Sequence, residues 1–316
     1  LTRITLERRQ VWVYMGCIVT GLALGSWLPS LASVFELLIW PALLALLYAT
    51  FVQVPLLHLE QAFADRRFIS AVLVGNFMLM PLAVWALVQG LPDNPALRLG
   101  VLLVLLVPCT DWFITFTQLG GGDVPRAAAV TPVNLLVQLL LLPFYLWLMV
   151  DTQLPDTLGA RNVLPALLVV LLPLVAALIT ERWMCRRPER NKLRERLAWW
   201  PVPLLGLVVL LIAGAQVSAV LDALDLLPRV VPVFIAYLII AAGIAKLTAK
   251  AFHLPAAQSR TLAFSLGTRN SFLVLPFALA LPQGWEVVAM VIVIQSLVEL
   301  FGMLAYLRWV PGKLFR

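Results

Sequence analysis

The sequence predicts an all-α polytopic membrane protein: about ten transmembrane helices as two inverted five-helix repeats, with discontinuous fourth and ninth helices. Three observations carry this. The 316-residue chain is 62% hydrophobic and 12% charged, with a mean hydropathy of +0.97, whereas soluble domains hold roughly 25% charged residues. Apolar runs of about 20 residues, the length a helix needs to cross a bilayer, recur from end to end. Two of these runs are interrupted by helix-breaking and polar residues, at Val107-Pro108-Cys109-Thr110-Asp111 and at Leu266-Gly267-Thr268-Arg269-Asn270-Ser271. Lipid cannot hydrogen-bond freed backbone groups, so such breaks survive only where they line a protein-buried cavity. Paired breaks in corresponding positions of two halves point to the midplane site of a secondary transporter.

The spans fall near 11–28, 34–57, 68–90, 98–118, 126–150, 161–181, 200–221, 230–250, 259–281 and 286–307, separated by turn-like segments such as LPS, ADRR, LPDNP, GGGD, DTQLPD, DLLPR and LPQG. The first apolar run follows a basic lead-in, LTRITLERRQ. No small-residue cleavage pattern comes after it, so no removed signal peptide is expected. The positive-inside rule tests the count. With a cytosolic amino terminus, Arg98, Arg161 and Arg229 alone among the 23 Lys and Arg fall outside, Arg269 lies within a span, and all others fall inside. Both termini are therefore expected in the cytosol. The net charge of +7 reports orientation and contact with anionic lipid, not nucleic-acid binding.

A basic cytosolic loop at 182–199 separates 1–181, which holds spans 1–5 plus span 6, from 200–316, which holds spans 7–10; the second repeat is spans 6–10, about 161–316. Five spans is an odd number, so the second repeat must run inverted relative to the first. A weak internal repeat accompanies this at an offset of about 160 residues. Trp40-Pro41 matches Trp200-Pro201, and Cys109 falls opposite Arg269. Asn134 to Gln138 matches Gln295 to Glu299, followed by Tyr145-Leu146 matching Tyr306-Leu307.

Polar residues inside the membrane carry the functional argument, because each costs several kcal/mol unless paired or wet. They are Asp111, Arg269 and Glu299, with Cys109, Thr110, Asn134, Gln138, Thr268, Asn270, Ser271 and Gln295 around them. Asn134 and Gln138 share one helix face, as do Gln295 and Glu299, so the helices after the breaks present matching polar faces. Arg269 stays charged, so it calls for carboxylate company at that depth; Glu299 and Asp111 are available. An arginine–carboxylate pair that merely pins two helices is the bland alternative. His58 and His253 fall at predicted cytosolic ends, outside the site. The three cysteines, Cys17, Cys109 and Cys185, suggest neither a disulfide framework nor a metal site. Cys17 reads as a small hydrophobe, whereas Cys109, at the break, fits packing and ligand chemistry equally.

The inverted five-plus-five plan, the VPCTDWF segment and the FSLGTRNSFL segment resemble the bile acid:sodium symporter superfamily, and within it the arsenite efflux permeases and their bacterial relatives. That resemblance implies a cysteine in the fourth span that binds trivalent arsenic and a glutamate in the tenth required for transport; here these are Cys109 and Glu299. It also implies a multi-pass protein of the bacterial inner membrane. The sodium-coupled members carry a ninth-span motif similar to E-T-G-x-Q-N-S, where this chain reads Ser265-Leu266-Gly267-Thr268-Arg269-Asn270-Ser271. A serine replaces the acidic ligand and a fixed guanidinium replaces the amide, which favours proton coupling or no coupling over sodium.

The reading is a secondary transporter exporting arsenite or antimonite by proton antiport, without a cofactor. Trivalent arsenic is soft and prefers thiolate. Cys109 would be the metalloid ligand. Thr110, Asn270 and Ser271 would hydrogen-bond substrate hydroxyls beside Arg269, and Glu299, with Asp111 next in line, would carry protons. Asn134, Gln138, Thr268 and Gln295 would support the site. Rocking of one helix bundle against another would expose it alternately to the two faces. The alternative within the fold is an organic-anion transporter in which Arg269 pairs with substrate carboxylate or sulfonate. An enzyme is not expected: with no histidine in the spans, only Cys109 with Asp111 would serve as nucleophile and base. Gly21 and Gly25 form a GxxxG that reads as close helix packing.

Overall fold

The computed structural model describes residues 3–57, 63–110, 112–150, 160–186 and 190–316. In chain order its helices are α1 (Arg3–Trp27), α2 (Ala32–Phe51), α3 (Arg66–Val74), α4 (Met80–Gln89), α5 (Pro95–Leu105), α6 (Trp112–Leu119), α7 (Val124–Met149), α8 (Ala160–Cys185), α9 (Asn191–Leu197), α10 (Pro201–Ala215), α11 (Val217–Leu224), α12 (Leu227–Ala251), α13 (Ala256–Gly267), α14 (Ser271–Leu279) and α15 (Glu286–Trp309). The described residues form no strand; their one extended pairing is a bridge between Pro108 and Arg269.

Eight helical stretches among the described residues are long and apolar enough to cross a membrane, where the sequence suggested about ten. The difference lies in the fourth and ninth predicted spans. Each is two short helices, α5 with α6 and α13 with α14, that stop and restart at the polar segments. The predicted span 200–221 also divides, because Gln216 leaves the helix (φ −124°, ψ 50°) between α10 and α11. Within the predicted basic loop 182–199, the segment NKLRERL forms α9, consistent with its good helix formers.

Two compact units account for the chain. The first comprises Leu1–Gln53, Thr157–Leu226 and Leu275–Met290. In it α10 packs on both α1 and α2, and α2 on α8. Gly21 and Gly25 lie directly on the α10 backbone, where a Cβ would run into the carbonyl oxygens of Leu210 and Gly214. Main-chain atoms cannot step aside, so small residues are required here. Large apolar side chains, including Trp12, Leu37 and Leu172, remain exposed on this unit's surface, which suits hydrocarbon rather than water. Gly25→Ala should lower stability by about 1–3 kcal/mol, read as a lower thermal midpoint in detergent. Gly16→Ala, where a Cβ meets nothing within 4 Å, should leave the midpoint in place.

The second unit comprises Val54–Asp156, Leu227–Val274 and Val291–Arg316. Its α12 packs on α13 and α4, and α6 packs on α7 and α13. Between α3 and α4 the helix widens into a single π turn over Gly75–Leu79, an insertion that often accompanies functional positions. Two buried tyrosines staple the unit in the same way. Tyr145 donates to the Phe77 carbonyl oxygen, and Tyr306 to that of Leu238, each reaching back 68 residues.

A charged clasp gathers three helix starts of this unit. Asp65 caps α3 by accepting from the Phe68 amide at 3.1 Å. It also accepts from Arg126 Nε at 2.7 Å and Gln258 Nε2 at 3.0 Å. Arg126 reaches Asp123 as well, which caps α7 and whose own amide donates to Thr261 Oγ1 at 2.7 Å. Burial alone would raise the Asp65 pKa, but the Phe68 amide and the Arg126 guanidinium outweigh it and hold the carboxyl below its ordinary value. A depressed carboxyl contributes its stability in full above the unfolded pKa and loses it as pH falls through the folded value. Asp65→Asn, which still caps a helix, should therefore melt lower than wild type at neutral pH. The gap should close as the pH is taken below about 4.

Candidate functional site

The site begins with two helices that cannot continue. Pro108 has no N–H and disfavours helical geometry at Val107, so α5 ends and the chain runs extended. Across from it, Thr268 is extended (φ −109°, ψ 143°) after α13. The extended segments pair antiparallel: the Cys109 amide donates to the Thr268 carbonyl at 3.2 Å, and the Asn270 amide to the Val107 carbonyl at 2.8 Å. Each break thus satisfies main-chain groups that the other exposes, as burial requires. The side chains add a second tie, Asn270 Nδ2 to Thr110 Oγ1 at 3.0 Å. Asn270 also caps α14, accepting from the Leu273 amide at 3.2 Å. At the starts of α6 and α14, Trp112 and Phe272 meet edge to face at 5.0 Å.

Arg269 is 2% exposed, and among the described residues its guanidinium is held by neutral oxygens. Nη2 donates to the Leu266 carbonyl at 2.6 Å and to Asn76 Oδ1 at 3.1 Å. The guanidinium lies 5.2 Å from the Tyr237 ring centroid. Leu266 sits in the last turn of α13, the negative end of the helix dipole, which suits a cation; Tyr237 donates to the same carbonyl at 2.8 Å. Asn76, on the π turn, is oriented by donating to Ser265 Oγ at 3.0 Å. Among the described residues the ion pairs involve Arg98, Arg126 and Arg194, not Arg269. Its Nε and Nη1 have no hydrogen-bond partner there.

Glu299, 1% exposed on α15, meets Arg269 through the backbone instead. Its Oε2 accepts from the Arg269 amide at 2.8 Å and from Gln295 Nε2 at 2.7 Å. Gln295 Oε1 in turn accepts from Ser271 Oγ at 3.1 Å. The one-turn spacing of Gln295 and Glu299 is what lets one amide bridge the carboxylate and the first residue of α14. Thr268 turns back on its own helix, donating to the Phe264 carbonyl at 2.7 Å.

Cys109 is buried at the crossing and in no disulfide. The structure therefore brings Cys109, Thr110, Thr268, Arg269, Asn270, Ser271, Gln295 and Glu299 together through described bonds. Asn134 and Gln138 are equally buried on α7, but no described bond joins them to this network. All four of their amide atoms have no hydrogen-bond partner among the described residues. Asp111 lies outside the described residues, as does His58. Sequence reasoning missed Asn76, Ser265 and Tyr237. The signal for Asn76 was present, a buried amide beside Gly75 in an apolar run; Tyr237 had none, since an aromatic in such a run reads as packing.

Asn270→Ala removes both the cap of α14 and the tie to Thr110, and should cost about 1–3 kcal/mol. Thr110→Val removes the tie alone and should cost less; thermal melts of the two variants in detergent rank them.

Residues 40–223 match the Sodium Bile acid symporter family. The chain is 23% identical over 293 residues to the arsenical-resistance protein Acr3 of Corynebacterium glutamicum, covering 86% of this chain and 78% of that protein. It is 31% identical over 121 residues to an uncharacterized protein of Pseudomonas aeruginosa, covering 37% of this chain and 36% of that protein.

Proposed function

This chain belongs to the sodium bile acid symporter family, and from that premise we propose that it exports arsenite or antimonite in exchange for protons. It is a multi-pass membrane protein of a transporter family. The observation that carries the finer reading is Cys109, a buried thiol at the crossing of two broken helices, with Thr110 and Asn270 beside it. Similarity to an arsenical-resistance protein along most of the chain supports the same cargo. In this reading arsenous acid exchanges one As–O bond for one As–S bond to Cys109, and the thiol proton leaves with the displaced hydroxyl as water. A single sulfur ligand holds the metalloid loosely enough to release it, where a cage of three would trap it. Thr110, Asn270 and Ser271 hydrogen-bond the remaining hydroxyls. Glu299 carries the proton, with Asp111 the next candidate, and Asn134 and Gln138 offer to cargo or water amides that have no partner among the described residues.

The architecture belongs to the proposal as well. Ten spans in two inverted repeats, 1–181 holding the first with span 6 and 200–316 completing the second, account for the paired breaks. They also account for the matching staples of Tyr145 and Tyr306. With the charge asymmetry, this arrangement sets both termini in the cytosol of a bacterial inner membrane, the 182–199 loop among them. One observation favours a second cargo: Nε and Nη1 of Arg269, without a hydrogen-bond partner among the described residues, suit the carboxylate or sulfonate of an organic anion.

The test is arsenite accumulation in inside-out vesicles, with and without an imposed pH gradient. Wild type should accumulate arsenite and respond to the gradient, Cys109→Ser should fall to background at equal expression, and Glu299→Gln should lose the response to the gradient. Retained accumulation in Cys109→Ser overturns the ligand role. Absence of arsenite transport by folded wild type, with organic anions accumulated instead, moves the assignment to the second cargo.

A further inference from the structure

A chain of three buried groups connects the carboxylate of Glu299 to the hydroxyl that opens α14. Ser271 Oγ donates to Gln295 Oε1 at 3.1 Å, and Gln295 Nε2 donates to Glu299 Oε2 at 2.7 Å. These directions are the ones an ionised Glu299 calls for. An ionised carboxylate only accepts hydrogen bonds, so it selects the orientation of Gln295 that offers the NH2 group. The amide oxygen is then left for Ser271, which must spend its single proton on Gln295. What Ser271 has left for a ligand is lone pairs.

We propose that protonation of Glu299 flips the Gln295 amide and so converts Ser271 from a hydrogen-bond acceptor into a donor toward cargo at the break. The inference rests on the proton-coupled reading above and supplies its sign. A proton taken from water at the open face forms one O–H bond on Oε2. That oxygen still keeps a lone pair for the Arg269 amide, which donates to it at 2.8 Å. The new O–H requires an acceptor, so the Gln295 oxygen turns toward it. The rotation is a half-turn about the terminal torsion of glutamine, which is soft and roughly two-fold. The NH2 group then faces Ser271, whose oxygen accepts and whose proton turns away toward the ligand. No other covalent bond forms or breaks.

The surrounding charges hold still while this happens. Among the described residues, the charged and titratable groups that face Glu299 are Arg269 from the break, Tyr237 from α12 and Tyr306 from its own helix; Asp111 lies outside them. The guanidinium is pinned by Leu266 and Asn76, and both phenols are committed as donors to the carbonyls of Leu266 and Leu238. The consequence for exchange is directional. Arsenous acid hydroxyls donate and accept, so cargo can pair with either form, but with reversed polarity: the ionised site accepts from it through Ser271 and the protonated site donates to it. The two protonation states therefore differ in cargo affinity, and antiport requires the ionised form to bind more tightly.

The test is infrared difference spectroscopy of the full chain reconstituted in lipid, titrated between alkaline and acid buffer without cargo. The carboxylic C=O band that Glu299→Gln abolishes and the side-chain amide band that Gln295→Leu abolishes should change together, with one midpoint. Gln295→Asn, which moves the amide band rather than deleting it, makes the same assignment if Gln295→Leu does not fold. Ser271→Ala should keep both bands. It should also bring the ratio of arsenite affinities in alkaline and acid buffer to parity, while Ser271→Thr restores the ratio. A static amide band beneath a titrating carboxyl band overturns the switch and leaves proton carriage by Glu299 standing. A carboxyl band that never titrates overturns the switch and that proton role together. Neither result touches the arsenite assignment, which Cys109→Ser decides.

Discussion

Everything in the site follows from main-chain groups that have nowhere else to go. A helix that stops inside an apolar environment exposes donors and acceptors that lipid cannot satisfy. Here two stopped helices answer each other, the Cys109 and Asn270 amides reaching the Thr268 and Val107 carbonyls. This exchange fixes the distance and orientation of the two extended segments. It therefore fixes where Cys109, Thr110, Arg269 and Asn270 project, and without it their positions would carry no chemistry.

Burying a guanidinium is the second constraint, and the molecule meets it with dipoles. A carbonyl at the end of α13, the amide oxygen of Asn76 and the face of Tyr237 surround the charge. Glu299 meanwhile holds the backbone of the same residue. The two charges are thus coupled through one residue without a direct guanidinium–carboxylate contact. A direct pair would tie the carboxylate to a permanent cation. In the observed arrangement its Oε2 accepts from one backbone amide and from one amide side chain that can rotate. The charge that never changes and the charge proposed to change are assigned to different partners, which is a sound division for a proton-coupled carrier.

The chain has an apolar core like a soluble protein, but its exterior is apolar too, and a few polar groups are buried within. Large apolar groups such as Leu140, Trp147 and Leu247 face outward, while Asn76, Asn134, Gln295 and Glu299 are buried. Polar groups at depth persist only with partners or a wet cavity. Most of those here are accounted for by named bonds. Among the described residues the amides of Asn134 and Gln138 and two nitrogens of Arg269 have no hydrogen-bond partner, nor do the hydroxyls of Thr50, Thr117 and Thr248; the amides and the guanidinium have the most hydrogen bonds to gain from a ligand.

The sequence by itself determined the class, the helical content and the places where helices fail. These depend on local properties: apolar length, proline and glycine, and the spacing of polar residues along a helix. The two residues of the Thr110–Asn270 bond stand 160 positions apart, the offset at which the sequence places its two breaks in register. Only the tertiary structure decided who partners whom. Arg269 was expected beside a carboxylate; Glu299 meets its backbone amide, while the carbonyl and amide oxygens around its guanidinium are ones that only folding brings there. Asn76 and Tyr237 became part of the site for the same reason, each lying on a different helix and far along the chain from the residue it serves. Gln295 looked like one more polar neighbour until its two ends were found bonded to Ser271 and Glu299. That role is a matter of distance and direction, and neither is written in the order of residues.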